Sequence, residues 1–267
     1  MILNILRNFF KKSNYLVIIK KLLKRFEKDN HESSIKWAKK QTNQTIDELM
    51  QKIDFKLYLK SKKECKILRN DAEKILSNIN ENLSGGAAFE LLYFLTKKRK
   101  PKIIVETGVA AGWSTLAFLR ASKYNKNVEI FSSDFPLFRN NNPAKHIGIL
   151  TKNETNLKKL NLFIEGDEKN LALISKKLKN KKIDLFHYDS DKSYSGRNFS
   201  LKILKQYFSD SVIIIFDDIN NNLHFKDFVK NNNLKYTVVK HKRGFIGIVD
   251  FNLQIQPEKL ILNRFSQ

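Results

Sequence analysis

A chain of 267 residues, 42% hydrophobic and 11% aromatic, can bury one large core, which excludes a disordered or fibrous protein. The formal net charge of +23 would attract polyanions, but the basic residues are mostly Lys and scattered along the chain, so a solvated basic surface is the simpler reading and nucleic acid is not the expected partner. One cysteine, Cys65, excludes an intrachain disulfide and a Cys-based zinc site, and a reducing cytoplasm is the simplest home for it.

The first 30 residues are apolar and basic. Charges interrupt them every few positions, so no apolar run of about 20 residues can cross a bilayer, and a small-residue cleavage site is lacking. Ile5, Leu6, Phe9 and Phe10, then Leu16, Ile19, Leu22, Leu23 and Phe26, recur at helical spacing. Two readings follow: an amphipathic helix packed on the main domain or on a second copy of the chain, or a peripheral helix lying on an anionic membrane through residues 1–30. From Ser33 to Ser84 the chain is polar, has apolar residues at helical intervals and contains neither Gly nor Pro, so it reads as further helices of an N-terminal extension. Gly85 and Gly86 mark a turn before a helix beginning near Ala87. The expected division is an extension over 1–83, a main domain over 84–251 and a tail over 252–267.

Beyond the turn, short β-branched runs alternate with helical stretches: "KIIVET", "NVEIFSSD", "LNLFIEGD", "KIDLFHYD", "SVIIIFDD", "KYTVVK" and "FIGIVDF". Connections long enough for crossover helices separate the first five, which predicts an α/β fold with a doubly wound parallel sheet. "HKRG" is too short for a crossover, so the last two runs should make an antiparallel hairpin, giving a seven-stranded sheet whose C-terminal strand is antiparallel at the edge. Ligands of such sheets bind at the carboxyl ends of the strands, and this chain puts Glu106, Asp134, Asp167, Asp189, Asp217 and Asp218 there.

The first strand runs into "VETGVAAGWST", where Gly108 and Gly112 bracket a tight turn and the helix near Trp113 offers free N–H groups and Ser114 to an anion. Neither a G-x-G-x-x-G pattern nor a P-loop is present. Asp134 lies at the distance downstream where a carboxylate accepts bonds from ribose hydroxyls, and "EGD", Glu165 to Asp167, follows where a polar group can read an adenine ring. Together they describe an adenosine ligand without a pyrophosphate. Singly, each acid reads equally well as a cap on the helix that follows it.

"VETGVAAGWST", "SSD", "EGD", "HYDSDKSYSG" and "IIIFDDI", in this order, resemble the class I S-adenosylmethionine-dependent methyltransferases. The nearest likeness is to the methyltransferase-24-like subgroup, related to metal-dependent O-methyltransferases, whose fourth strand ends D-G-D-H-S-Y-x-G and whose fifth ends F-D-D. The resemblance spans residues 84 to 251 and implies a Rossmann-like sheet. It implies further that Glu106, Gly108 and Gly112 shape the methionine end of the cofactor site, with Ser114 at the carboxylate, Asp134 on the ribose and Asp167 near the adenine.

Asp189, Asp217 and Asp218 end neighbouring strands, and three carboxylates that close would repel one another without a cation. The resemblance to catechol-type and caffeoyl-CoA-type enzymes implies that these three hold one hard divalent cation, magnesium being the first choice, although Asp218 stands where those enzymes have Asn. Lys192, three residues after Asp189, matches the position of their proton acceptor; it reads as the catalytic base beside Asp189, or as a simple ion-pair partner. Asp191 is either a further ligand or a cap on the helix near Tyr194, and His187 reads as a packed strand residue. Residues 135–155 are too long and Asn-rich for a plain connector, and read either as a loop that brings Arg139, Lys145 and His146 over the site or as a surface insertion. The expected activity is O-methylation of a glycan or small-molecule hydroxyl. The rivals are a non-catalytic scaffold docked through its basic helix and an RNA ribose methyltransferase.

Overall fold

The structure, a computed structural model, describes residues 30–251 apart from 82, 84, 85, 139, 141, 143 and 243, together with residue 19. The amphipathic segment expected over the first 30 residues and the tail from 252 therefore lie outside the described residues, as does Arg139.

The extension supplies α1 (His31–Gln41) and α2 (Ile46–Leu76). A capping box starts α2: the Thr45 hydroxyl accepts the Glu48 N–H, and the Glu48 carboxylate accepts the Thr45 N–H at 2.7 Å. At Asp54 the helix kinks through an extended residue, and the Asp54 carboxylate accepts the Leu57 N–H at 2.9 Å, so it restarts the helix as an N-cap does. Both helices join the core of the sheet. Ala38 packs with Phe186, Phe216 and Phe225, while Met50 packs with Leu91, Leu95 and Ile104. Thr45, between them, bridges to Lys240 on the outermost strand and so covers part of the sheet edge.

The main domain then alternates as expected: α3 (Phe89–Arg99), β1 (Ile103–Thr107), α4 (Trp113–Ala121), β2 (Glu129–Ser133), β3 (Leu160–Phe163), α5 (Asp167–Leu178), β4 (Ile183–Tyr188), α6 (Tyr194–Leu204), β5 (Phe208–Phe216), α7 (His224–Asn231), β6 (Thr237–His241) and β7 (Gly244–Asp250). The sheet has seven strands in the order β3-β2-β1-β4-β5-β7-β6, the first five mutually parallel. β7 runs antiparallel to both β5 and β6, so the hairpin forms at the sheet's edge and its outermost place falls to β6. The order reverses between β1 and β4, which opens a crevice at their carboxyl ends.

Register decides what floors that crevice. On one face, Ile104, Ile130, Leu185, Ile213 and Ile215 pack under α3 and α4. Two residues further along β1, β2 and β4 the same face carries Glu106, Ser132 and His187, and Asp217 follows β5 in the same way. Greasy strands thus become polar as they emerge into the crevice. The described residues of 135–155 contain no strand but fold inward: Phe138, Ile147 and Leu150 are buried, and the N–H groups of Gly148 and Leu150 bond to the carbonyls of Ala110 and Ala111.

Candidate active site

A cleft of about 580 Å³ lies at the switch point. The turn after β1 (Gly108 to Ala110), Trp113 and Ser114 of α4, Asp134, Phe135 and Leu137 after β2, Asp189, Ser190 and Lys192 after β4 and the Asp217–Asp218 pair after β5 line it. Two segments that the sequence reading did not assign complete the wall. They are Gly86 and Ala87, before α3, and the hairpin residues His241, Lys242 and Gly244 to Ile246. Lys242 donates to the Gly86 carbonyl at 2.9 Å and ties the two together.

The glycine turn is built for close approach. Gly108 adopts φ +87°, and a Cβ there would fall 2.4 Å from the carbonyl oxygen of Asp189, so its bareness lets the β4 loop come in rather than only a ligand. Gly112 has φ +100° and packs against Gly148. Asp134 bonds the turn from below: its carboxylate accepts from the N–H groups of Val109, Ala110 and Phe135 at 2.9, 2.6 and 2.6 Å. Burial lifts its pKa to about 6 against those three bonds. No side chain caps the amino end of α4, which leaves its first-turn donors facing the cleft beside Ser114.

Glu106 and Asp167 support the cleft without lining it. Glu106 is fully buried and accepts from the hydroxyls of Ser114, Thr115 and Ser132 at 2.6 to 2.7 Å. Asp167 accepts from Ser133 and Ser190, each at 2.6 Å, and so ties the end of β2 to the loop after β4.

In the same cleft the Lys192 ammonium pairs with Asp189 and lies 3.2 Å from Asp218. Burial works against that ammonium, but the carboxylates of Asp189, Asp218 and Asp217 outweigh it and raise its pKa. Asp189, desolvated, is lifted to about 6 in spite of Lys192. His187 is more than a packed residue. Its ring lies between Glu106, 3.9 Å from Nδ1, and Asp217, 3.5 Å from Nε2. Burial alone would discharge it, yet the two flanking acids lift its pKa to about 9. Period-two alternation, which puts residues 187 and 189 on one face, was the signal in the sequence.

His187, Asp189 and Asp217 each offer a ligand atom within 4.8 Å of the others. Asp218 is not in that group; half-exposed at φ +50°, it reaches the cluster through Lys192. Asp191 turns to the chain ahead of α6: its carboxylate accepts the Ser193 N–H at 2.9 Å, while Ser193 itself caps the helix. Of the loop residues, Lys145 is exposed and His146 turns to Glu81 at 3.6 Å, so neither lines the cleft.

Arg197, which sequence reasoning missed, braces the acids. Fully buried on α6, it donates through Nη2 to the carbonyls of Asp217 and Asp218 at 3.0 and 2.8 Å. From the extension, the buried Ser34 hydroxyl lies 2.9 and 2.7 Å from the carbonyls of Ile219 and Asn222, and the Asn222 amide donates to the Lys192 carbonyl. Nothing local marks Arg197 in the sequence, because its partners are backbone atoms 20 and 21 residues away.

Residues 105–219 match a family model described as a methyltransferase domain. No curated protein matches the chain. Among solved structures, the chain is similar to an O-methyltransferase from Bacillus cereus in complex with S-adenosylhomocysteine, at 16% identity and a TM-score of 0.53, covering 68% of this chain and 90% of that one. It is also similar to the O-methyltransferase TomG from Streptomyces achromogenes, involved in tomaymycin synthesis and in complex with S-adenosylmethionine (12%, 0.54, 68% and 86%). A third likeness is to the S-adenosylhomocysteine-bound methyltransferase PaMTH1 from Podospora anserina (15%, 0.52, 68% and 86%). At these identities the structures speak for the fold, which is that of the class I S-adenosylmethionine-dependent methyltransferases, and residues 105–219 carry the match to a methyltransferase domain.

Proposed function

We propose that the protein is an S-adenosylmethionine-dependent O-methyltransferase that acts, with the help of a divalent cation, on a hydroxyl of a glycan or small-molecule metabolite. The observation that carries this reading is the convergence of Asp189, Asp217, Asp218 and Lys192 on the wall of one cleft, directly beside the Gly108 turn. The neighbouring structures bound to the cofactor or its product support the cofactor assignment.

The cleft suits S-adenosylmethionine because the uncapped amino end of α4 offers donors for an amino-acid moiety, while Phe135 and Leu137 offer apolar surface for a ring. Bound there, the cofactor supplies a methyl group made electrophilic by its sulfonium. The chain's own residues then have to orient the acceptor, exclude water and take a proton. Trp113, Phe245 and Ile246 restrict water, and Lys192 is the proton acceptor best placed among the described residues. Paired with Asp189 and Asp218 it stays charged. A divalent cation, for which Asp189, Asp217 and His187 offer donor atoms and Asp218 adds charge, would neutralise those acids and so weaken the hold they have on the Lys192 proton.

Turnover of S-adenosylmethionine with polyhydroxylated glycans and metabolites, with magnesium and with a chelator, tests the proposal. Magnesium-stimulated release of S-adenosylhomocysteine with one acceptor class is expected, and its absence from every acceptor would overturn it. RNA as the best acceptor, with affinity falling steeply as salt rises, would replace the substrate assignment. A protein that binds the product and methylates nothing would favour the scaffold reading.

A further inference from the structure

We infer that α2 is a membrane-docking helix that lays its outer side on an anionic lipid surface. Beyond the kink at Asp54, the buried residues Ser61, Cys65, Leu68 and Ala72 fix one side of α2 against the domain. The opposite side carries Phe55, Leu59, Lys63 and Ile67 four residues apart, which places them in one ladder along the helix. Phe55, Leu59 and Ile67 are 59%, 54% and 49% exposed and stand in one row rather than scattered singly over the surface. Lys56, Lys60, Lys63 and Lys66 stand exposed around them, and Glu64 is the one acid on α2 between Phe55 and Ile67.

Charge decides the occupant. A second copy docked face to face would set these lysines against their own kind. The chain's first 29 residues are no better suited, since they hold eight Lys and Arg (Arg7, Lys11, Lys12, Lys20, Lys21, Lys24, Arg25 and Lys28) against Glu27 and Asp29. A nucleic acid would satisfy the lysines but leave the aliphatic Leu59 and Ile67 unburied. An anionic bilayer satisfies both sets, with apolar side chains entering the headgroup boundary and lysines meeting lipid charge. The chain from Phe55 to Ile67 is helical and unbroken, and among the described residues no helix is apolar enough to cross the membrane, so this contact lies along the surface.

The test is flotation of the full chain with vesicles of phosphatidylglycerol and phosphatidylcholine in equal parts, and with phosphatidylcholine alone. The wild type should float with the anionic vesicles, and the Phe55→Ser/Leu59→Ser/Ile67→Ser variant should bind them at least about tenfold more weakly, although its first 30 residues are intact. Circular dichroism on the variant guards against a folding defect. In a Leu59→Trp variant, tryptophan emission should shift to the blue with anionic vesicles and stay put with neutral ones. Equal flotation of wild type and triple variant, an unshifted tryptophan, or loss of self-association in the triple variant without any vesicle binding in the wild type would each overturn the inference. None of these readouts depends on methyl transfer.

Discussion

Replacing Arg197 with Met should separate catalysis from stability. The guanidinium gives two hydrogen bonds to the backbone of the Asp217–Asp218 turn, and charged bonds of this kind contribute about 1.5–3 kcal/mol each. Against that, the side chain is fully buried, and its Nε and Nη1 have no hydrogen-bond partner. Two buried unpaired donors cost about 1–3 kcal/mol apiece, which accords with burial pulling the pKa of this group below its usual value despite Tyr188 and three nearby carboxylates. Gains and losses of similar size leave a net change within about 4 kcal/mol, hence a fall in Tm of the order of 10 °C at most for a chain this long. The turn that carries Asp217 and Asp218 loses its anchor all the same, and a displacement of about 1 Å in a catalytic constellation costs on the order of a hundredfold in rate. Initial rates of S-adenosylhomocysteine release at saturating S-adenosylmethionine, set beside a thermal melt and product binding, make the comparison. A large drop in kcat with product affinity retained is expected, and Arg197→Lys should recover part of it. Undiminished kcat in Arg197→Met would refute the positioning role, and a parallel collapse of melting temperature would show that the residue is purely structural.

Gly108→Ala sets a Cβ against the Asp189 backbone, which has no flexible end to swing away, so affinity for S-adenosylhomocysteine should fall at least about tenfold, or about 1.4 kcal/mol, by calorimetry. Wild-type affinity would mean that the turn yields. Asp217→Ala should abolish magnesium-stimulated turnover while the circular dichroism spectrum stays native; turnover still stimulated by magnesium would remove Asp217 from the cation site. His187 makes stability depend on pH. Its folded-state pKa, about 9, lies above the ordinary 6.5, so the stabilisation is fully present below pH 6.5 and is lost as pH rises through 9. In chelator, thermal melts over that window should show a loss of the order of 3 kcal/mol, and a flat profile would show that the imidazole is not held as a cation between Glu106 and Asp217.

The sheet was legible in the sequence because parallel strands buried on both faces read as unbroken β-branched runs, and "SVIIIFDD" or "KIIVET" can be little else. The strand-end acids were legible for the same reason, since a charge that ends such a run must sit at its mouth. What each acid touches was not. Asp134 spends its oxygens on the turn at Val109 and Ala110, and Glu106 spends its own on three hydroxyls, because register across three strands decides those contacts. The hairpin wall at His241 and Lys242, the Ser34 contact and Arg197 depend on chain folding over separations from about 20 to nearly 190 residues, which no local pattern encodes. Residues 135–155 read by composition either as a loop over the site or as a surface insertion; Phe138, Ile147 and Leu150 are buried, and Phe135 and Leu137 line the cleft.

Calorimetric titration of the purified protein with S-adenosylhomocysteine, run with magnesium and again with a chelator, tests the central claim most directly. Binding in the micromolar range, abolished or strongly weakened in Gly108→Ala, is the predicted result. No heat of binding in either condition, from protein shown to be folded, would contradict the methyltransferase account.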